Sequence, residues 1–387
     1  MALSLSIPKE CVLNMQPLAT DEQRAAAGRL VDLIGGNWAT QAIGVAARLG
    51  LADQVAAGVN AVEQLALACQ CDASALHRLL RGLAALGVLE IDADGRCSLT
   101  STGELLRRDS PLGLSSHAQW WSQQAWGVWS DLMGSVRTGL STRQRERGQK
   151  GFDHLDGDAP SAQLFHRSMA ELTRLVAVGI AGSPALPDTG VFMDLGGGHG
   201  ELLVEVLRAR PGLRGVLFDL AHAVQGARAH LRETAMEERV TVCAGDFFET
   251  LPRPMDVVLL KSVLHDWDDD DAVRILRRAR EALAADGRLL IVERIMPDRP
   301  RDLPEHRTTA RSDLNMLVGL GGRERTASDY DALLRAAGLS RQRTWPAAAA
   351  FSLIEAVISH SEDPVLTGRD AAGGDPFLCP PSPQVLP

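Results

Sequence analysis

The sequence predicts an α/β protein in which a doubly wound parallel sheet follows a mostly helical N-terminal region of winged-helix order. Three observations predict it. From Gly190 onward, short aliphatic segments (VFMDL, GVLFDL, RVTVCA, DVVLLKSV and RLLIVER) alternate with helical stretches, the texture of strands buried on both faces of a parallel sheet. The first of these segments runs into a glycine cluster, Asp194 to Gly200, and then into the apolar helix ELLVEVLRA. Upstream, residues 60–107 read as a helix, a second helix and a two-stranded ribbon that turns at Asp94-Gly95.

Taken in order, residues 1–22 are mixed and carry two prolines, so they read as an arm that orders only against something else. From Asp21 to Val55 apolar residues recur at helical spacing, and the Gly35-Gly36 pair divides the stretch into two helices. The winged-helix segment carries Arg78, Arg81, Arg96 and Arg107 against Glu63, Asp72, Glu90, Asp92, Asp94 and Glu104, the wrong balance for a phosphate-binding face. A dimerisation module is therefore the better reading than a DNA-binding one. Residues 112–140 hold Trp120, Trp121, Trp126 and Trp129, which either pack one domain on the next or wall an aromatic ligand site. After a polar stretch, Thr142 to Gly157, a further helix places Phe165 and Met169 on one face. FSLIEAVI adds a late strand, and the Gly- and Pro-rich tail after His360 reads as disordered. The expected division is 1–112, 113–185 (connecting helices), 186–360 (the α/β domain) and 361–387 (the tail).

Composition narrows the function. The 387 residues are 45% hydrophobic and 23% charged, an ordinary globular profile, and too many for a single core. A net charge of −9 argues against nucleic-acid binding by counterion release. The six cysteines are scattered, the nearest pair being C-Q-C, and signal neither a zinc site nor a disulfide framework. No signal peptide and no membrane-length apolar run is present, so a cytoplasmic protein without membrane contact is expected.

The glycine cluster fits no dinucleotide fingerprint: from Gly196 the last position of G-x-G-x-x-G is Glu201, and from Gly198 it is Leu203. Asp194 and Glu201 bring negative charge where a pyrophosphate would lie, whereas a ligand with an ammonium and a sulfonium, such as S-adenosyl-L-methionine, tolerates it. Asp219 ends the second strand, where a carboxylate accepts from ribose hydroxyls, and Asp246 follows the third, beside Phe247 and placed for an adenine amino group. His265 follows the fourth strand in LLKSVLHDW, and an imidazole near pKa 6.5 there suits a general base. Glu293, closing the fifth strand, and Glu324, in the turn GGRERT, are each either a partner that orients this imidazole or a solvated loop acid. The acidic run Asp268–Asp271 is better explained by a helix N-terminus than by a metal.

The set DLGGGHG, LFDL, AGDFF, LLKSVLHDW, IVERIMP, DLNML and GRERT, in this order behind a winged-helix region, resembles the large, metal-independent O-methyltransferases of plant phenolics, hydroxyindoles and bacterial polyketides or phenazines, over roughly residues 25–360. The resemblance implies a Rossmann-like methyltransferase sheet behind a dimerisation domain, with S-adenosyl-L-methionine as methyl donor and S-adenosyl-L-homocysteine as product. It makes His265 the base, flanked by Glu293 and Glu324, and no metal is expected. Gly196, Asp219, Leu220, Asp246, Phe247 and Lys261 match cofactor contacts, and Asp194, Gly198, Gly245 and Ser262 complete the expected cofactor set. Phe165, Met169, Asn315 and Met316, with Trp120, are expected to line the acceptor pocket, and Asp266 to lie near the substrate. The expected partners are an aromatic hydroxylated small molecule and a second copy of the chain. Two alternatives remain: N- or C-methylation, or a diverted reaction, on the same scaffold, and a winged-helix regulator that senses a small molecule. The extension after His360 and the full four-Asp run lie outside the family pattern.

Overall fold

A computed structural model describes residues 20–148, 152, 155 and 158–359. Most of the expected N-terminal arm, and the whole tail at 361–387, lie outside the described residues. The first helix, α1 (Asp21–Gly35), begins with a capping box in which Thr20 and Gln23 satisfy each other's backbone N–H groups. It ends at Gly36, where α2 (Asn37–Leu49) starts. α1 buries no residue, and Leu33 and Ile34 are 73% and 71% exposed.

Beyond α2, the helices α3 (Leu51–Ala56), α4 (Val62–Ala68) and α5 (Ala73–Ala85) enclose a small core around Leu65, Leu80 and Leu83. The antiparallel ribbon of β1 (Leu89–Ile91) and β2 (Cys97–Leu99) completes the winged-helix order expected from the sequence. Cys69, Cys71 and Cys97 are free thiols.

Between the two halves run the helix Ser115–Trp120, a π-helical turn Trp121–Ala125 and the helix Trp126–Trp129. The stretch expected to be merely polar contains a short helix, Thr142–Arg147, opened by a Ser141–Gln144 capping box. The long helix Ala159–Ala181 packs against both Ser115–Trp120 and the helix Glu201–Ala209 of the α/β domain, and so joins the two halves. Buried Glu171 on the long helix accepts from the backbone N–H groups of Ser116 (3.0 Å) and His117 (2.7 Å), which fixes where Ser115–Trp120 begins.

The α/β domain is a seven-stranded sheet of order β5-β4-β3-β6-β7-β9-β8. Its members are β3 (Thr189–Leu195), β4 (Gly212–Asp219), β5 (Val240–Ala244), β6 (Met255–Lys261), β7 (Leu283–Glu293), β8 (Leu339–Pro346) and β9 (Ser352–Ile358). The first five are parallel. β9, the late strand expected from FSLIEAVI, joins β7 antiparallel and β8 joins β9 antiparallel, so the expected parallel sheet carries a two-stranded antiparallel edge. β8 escaped notice because Arg341, Gln342 and Arg343 on an edge strand give no aliphatic run. Val258 and Leu260 enter one core, Val257 and Leu259 the opposite one, so both faces of the sheet are covered by apolar layers. The chain leaves β3 toward β4 on one side and returns to β6 on the other, so a crevice opens at the carboxyl ends of β3 and β6.

Candidate active site

A cavity of about 660 Å³ occupies that crevice, roofed by the long helix Ala159–Ala181 and the tryptophan-bearing segment. Its size suits a cofactor and a small acceptor together. On the sheet side Asp194, Gly196, Gly198, Asp219, Leu220, Asp246, Phe247, Lys261 and Ser262 all line it. Gly198 has φ +56, and a Cβ there would meet nothing within 4 Å, so its backbone faces the open cavity. The Gly198 N–H donates to Asp219 Oδ2 at 2.8 Å, and that of Leu220 to Asp219 Oδ1 at 2.7 Å, which fixes the carboxylate at the end of β4.

Asp194 is 2% exposed and its Oδ2 has no hydrogen-bond partner. Burial, and then the charge of Asp219, push Asp194 up to about 7; Lys261 acts in the opposite direction. A ligand bringing a positive charge would relieve this pair of acids. The donor set therefore fits a cationic cofactor, as a dinucleotide phosphate would not. Gly245 departs from expectation: it does not face the cavity, because a Cβ there would lie 2.6 Å from the Phe218 ring, and its N–H is spent on the Asp219 carbonyl at 3.0 Å.

At the end of β6 the chain turns sharply through Ser262, whose φ of +54 is unusual for a residue with a side chain, into the short 3₁₀ turn Leu264–Asp266. The turn aims three backbone N–H groups, those of Val263 (2.9 Å), Leu264 (3.0 Å) and His265 (3.4 Å), at Glu293 Oε1. Nδ1 of His265 lies 3.0 Å from Glu293 Oε2 and 3.2 Å from Glu324 Oε1, with its N–H directed at Glu324. Glu324 is itself held by the Ser312 hydroxyl at 2.6 Å, and its N–H donates to Asp313 at 2.9 Å. Both glutamates are buried, so they orient the imidazole and are not solvated loop acids. His265 Nε2, on the cavity side, lies 3.4 Å from Asp266 Oδ1.

The electrostatics of this cluster correct one expectation. Burial alone lowers the His265 pKa, but Glu293, Asp266 and Glu324 outweigh it and raise the imidazole well above its ordinary 6.5. Burial also pushes Asp266 up to about 7, against the pull of His265. Glu293 goes the other way: burial would raise it, yet His265 and the amide of Val263 hold it below the ordinary carboxylate value. His265 is thus a stronger base than a free imidazole, beside an acid that titrates near neutrality.

The turn is pinned by a residue the sequence reading passed over. Fully buried Arg325 donates to the carbonyls of Leu264 (2.6 Å) and Trp267 (2.8 Å) and to Asp269 (3.0 Å). Gly322 permits the close approach, since a Cβ there would sit 2.0 Å from the His265 carbonyl oxygen. Asp268 caps the helix Asp269–Ala282 by accepting from the Asp271 N–H at 2.9 Å, and Asp271 pairs with Arg274 at 2.6 Å. The acidic run therefore does the work of a helix N-terminus and of a clamp on Arg325, as the dipole reading expected. Among the described residues, His265, Glu293 and Glu324 form the one group whose ligand atoms converge as a metal site would; both acids face the same imidazole nitrogen, Glu324 by a hydrogen bond and Glu293 as an ion pair.

Trp120, Phe165, Met169, Asp266, Asn315 and Met316 also line the cavity. Trp120 meets Phe165 edge to face at 5.1 Å. The two readings of the tryptophans divide between them: Trp120 and Trp121 wall the cavity, whereas Trp129 binds Asn315 Oδ1 through Nε1 at 2.9 Å and ties the segment to the helix Pro304–Gly319. His117, Arg294 and Arg311 also line the cavity and were missed. Arg311 lies one helical turn before Asn315 and Arg294 directly follows Glu293, so spacing held the signal for both.

Comparison with known proteins agrees with this geometry. Residues 31–109 match the O-methyltransferase dimerisation domain and residues 129–340 the O-methyltransferase domain. Phenazine O-methyltransferase PhzM of Lysobacter antibioticus is 35% identical over 87% of this chain and 99% of its own. Phenazine-1-carboxylate N-methyltransferase of Pseudomonas aeruginosa is 30% identical over 82% of this chain and 93% of its own. Among solved structures, the neocarzinostatin O-methyltransferase NcsB1, in complex with S-adenosylmethionine and 2-hydroxy-5-methyl naphthoic acid, superimposes with a TM-score of 0.68 at 31% identity, covering 83% of this chain and 96% of that one.

Proposed function

The chain belongs to the O-methyltransferase family and is an S-adenosyl-L-methionine-dependent enzyme, and from that premise we propose that it methylates a phenolic hydroxyl of a phenazine- or polyketide-like small molecule with His265 as general base. The observation that carries this is the imidazole held at Nδ1 by Glu293 and Glu324, with Nε2 left toward the cavity. A phenol starts near pKa 10, so a base raised above the ordinary imidazole value is better matched to it. Bound S-adenosyl-L-methionine supplies an already electrophilic methyl group. The chain then has two tasks: to hold the hydroxyl in line and to receive its proton at His265 Nε2. Orientation is the larger contribution, up to about 7–11 kcal/mol, against roughly 10²–10⁴ in rate from the base.

For the cofactor, Asp219 is assigned to the ribose, Asp246 to the adenine amino group beside Phe247, and Asp194 with Lys261 to the charged methionine end; Gly196, Gly198, Leu220 and Ser262 shape the cradle. Trp120, Phe165, Met169, Asn315 and Met316 grip a planar acceptor, with Asp266 next to its hydroxyl. The runner-up is N-methylation, which the Pseudomonas relative carries out by its name. The buried carboxylates around His265 favour a hydroxyl, because a neutral ring nitrogen has no proton to give up.

The dimerisation domain supports a homodimer, and the bare apolar face of α1 supports that assembly as well: a helix of 15 residues that buries none of them within its own subunit needs a partner to stay folded. No described helix is long and apolar enough to cross a membrane. On this proposal the enzyme works in the cytoplasm and does not bind nucleic acid. Residues 1–112 serve dimerisation, 113–185 the acceptor pocket and 186–360 cofactor and catalysis, while 361–387 have no assigned part. Incubation with methyl-labelled S-adenosyl-L-methionine, a chelator and a panel of polycyclic phenols, read by mass spectrometry, should give O-methyl products. Label recovered only on nitrogen or carbon would refute the proposal.

A further inference from the structure

Three imidazoles with no task in methyl transfer meet where the roof of the cavity comes down on the cofactor loops. His166 stands on the long helix Ala159–Ala181, His199 inside the glycine cluster that follows β3, and His222 on the short helix Ala221–Val224 that follows β4. The His166 ring touches both of the others: its centroid is 5.4 Å from that of His199, with the planes at 36°, and 5.6 Å from that of His222, with the planes at 40°. All three line the cavity. The roof helix thus rests through one side chain on the two loops whose Gly198 and Leu220 amides fix Asp219.

This contact suits a neutral His166 and no other form. Its Nε2 is buried without a hydrogen-bond partner, so a proton added to the ring would face two further imidazoles with no acceptor at that atom. Burial, followed by the charges of His199 and His222, pushes His166 down to about 4. The charged groups around the trio offer little relief. His199 is itself lowered by burial; Glu201 acts against this, while His230 and Arg167 add to it. Glu201 is already engaged by Arg174 at 3.0 Å and lies 3.7 Å from His230 Nε2. Beside His222 stands Asp219, raised by burial against the pull of the Gly198 and Leu220 amides and of the His222 charge. A Cβ on Gly226 would lie 2.6 Å from His199 Nε2, so that ring has main chain behind it and no room to draw back. A charged His166 is therefore relieved by movement of the helix away from the loops.

We propose that His166, His199 and His222 are positioning residues that latch the roof helix onto the cofactor loops, and that a proton taken up by His166 opens the latch and weakens cofactor binding. The device acts on the S-adenosyl-L-methionine site alone and holds whichever atom of the acceptor is methylated. Its sign follows from a depressed imidazole: the latch is fully closed above the ordinary 6.5 and is lost as the pH falls toward 4. Phe165, next to His166 with ring centroids 5.6 Å apart, also meets Trp120, so opening the latch loosens the roof beyond the cofactor.

The test is S-adenosyl-L-homocysteine affinity of the full chain by titration calorimetry, at about pH 8 and about pH 5.5, for the unaltered protein, His166→Phe and His166→Leu. A ring held at about 4 when the latch is closed and returned to 6.5 when it opens makes binding about tenfold weaker at the lower pH. The unaltered protein should therefore lose about tenfold more affinity on acidification than either variant. Asp194, pushed up to about 7 by burial and then by Asp219, adds its own pH dependence, but it is untouched in all three proteins and its share cancels in the comparison. Loss of the same size in the unaltered protein and in both variants would overturn the proposal. So would an affinity of the unaltered protein that stays flat over this range, a result that needs no variant to fold.

Discussion

His265 and His117 sit in the walls of the same cavity, both largely removed from water, yet they are driven in opposite directions. His265 is ringed by Glu293, Glu324 and Asp266 and raised well above the ordinary imidazole value; His117 faces Arg311 and Arg294 and is pushed down to about 4. Burial lowers both, so the difference comes from the sign of the neighbours. One fold thus makes a basic imidazole and, in the same pocket, one that is neutral near pH 7, by placing acids at the end of β7 and in the GGRERT turn around His265 and the charges of Arg294 and Arg311 near His117.

The largest expected effect separates these two histidines. His265→Ala should lower kcat on a phenolic acceptor by about 10²–10⁴, the range of a general base, while S-adenosyl-L-homocysteine still binds. His117→Ala should be milder and should raise KM more than it lowers kcat, because this ring takes no proton. Steady-state kinetics on both variants checks the pair, and equal losses in kcat would erase the distinction.

A smaller effect belongs to the cofactor side, which both walls share. Asp219 is anchored by the amides of Gly198 and Leu220, so its carboxylate meets the ligand in a fixed place. Asp219→Ala should weaken S-adenosyl-L-homocysteine by about 10- to 100-fold, the scale of a charge-assisted hydrogen bond, as measured by calorimetry. An unaltered affinity would remove the ribose assignment.

Much of this arrangement is legible in the chain and some is not, for physical reasons. The glycine cluster, the acids that end successive strands and the order LLKSVLHDW, IVER, GRERT are local in sequence, because carboxyl ends of parallel strands must converge. The winged-helix order was readable from periodicity and the Asp94-Gly95 turn. β8 was not, since an edge strand of Arg and Gln carries no apolar signature. Neither was the pKa of His265, which depends on three carboxylates brought together from two strand ends and a distant turn. Gly245 illustrates the opposite error: its place in AGDFF suggested a cofactor contact, and the Phe218 ring behind it shows a packing role. Arg325 sat inside the most specific motif, but that it grips the carbonyls of Leu264 and Trp267 follows only from the folded turn.

The central claim is that carboxylates raise His265 and thereby make it a base suited to a phenol. The direct measurement is the pH dependence of kcat on 1-naphthol for the unaltered enzyme and for Glu324→Gln. A base must be deprotonated to act, so the rate should rise with pH through the pKa of His265, and that rise should lie above pH 6.5 in the unaltered enzyme. Removing one negative neighbour lowers the imidazole pKa, so in Glu324→Gln the rise should move to lower pH by about 1–3 units. A rise centred at the ordinary imidazole value, or one that stays in place in Glu324→Gln, would contradict the account.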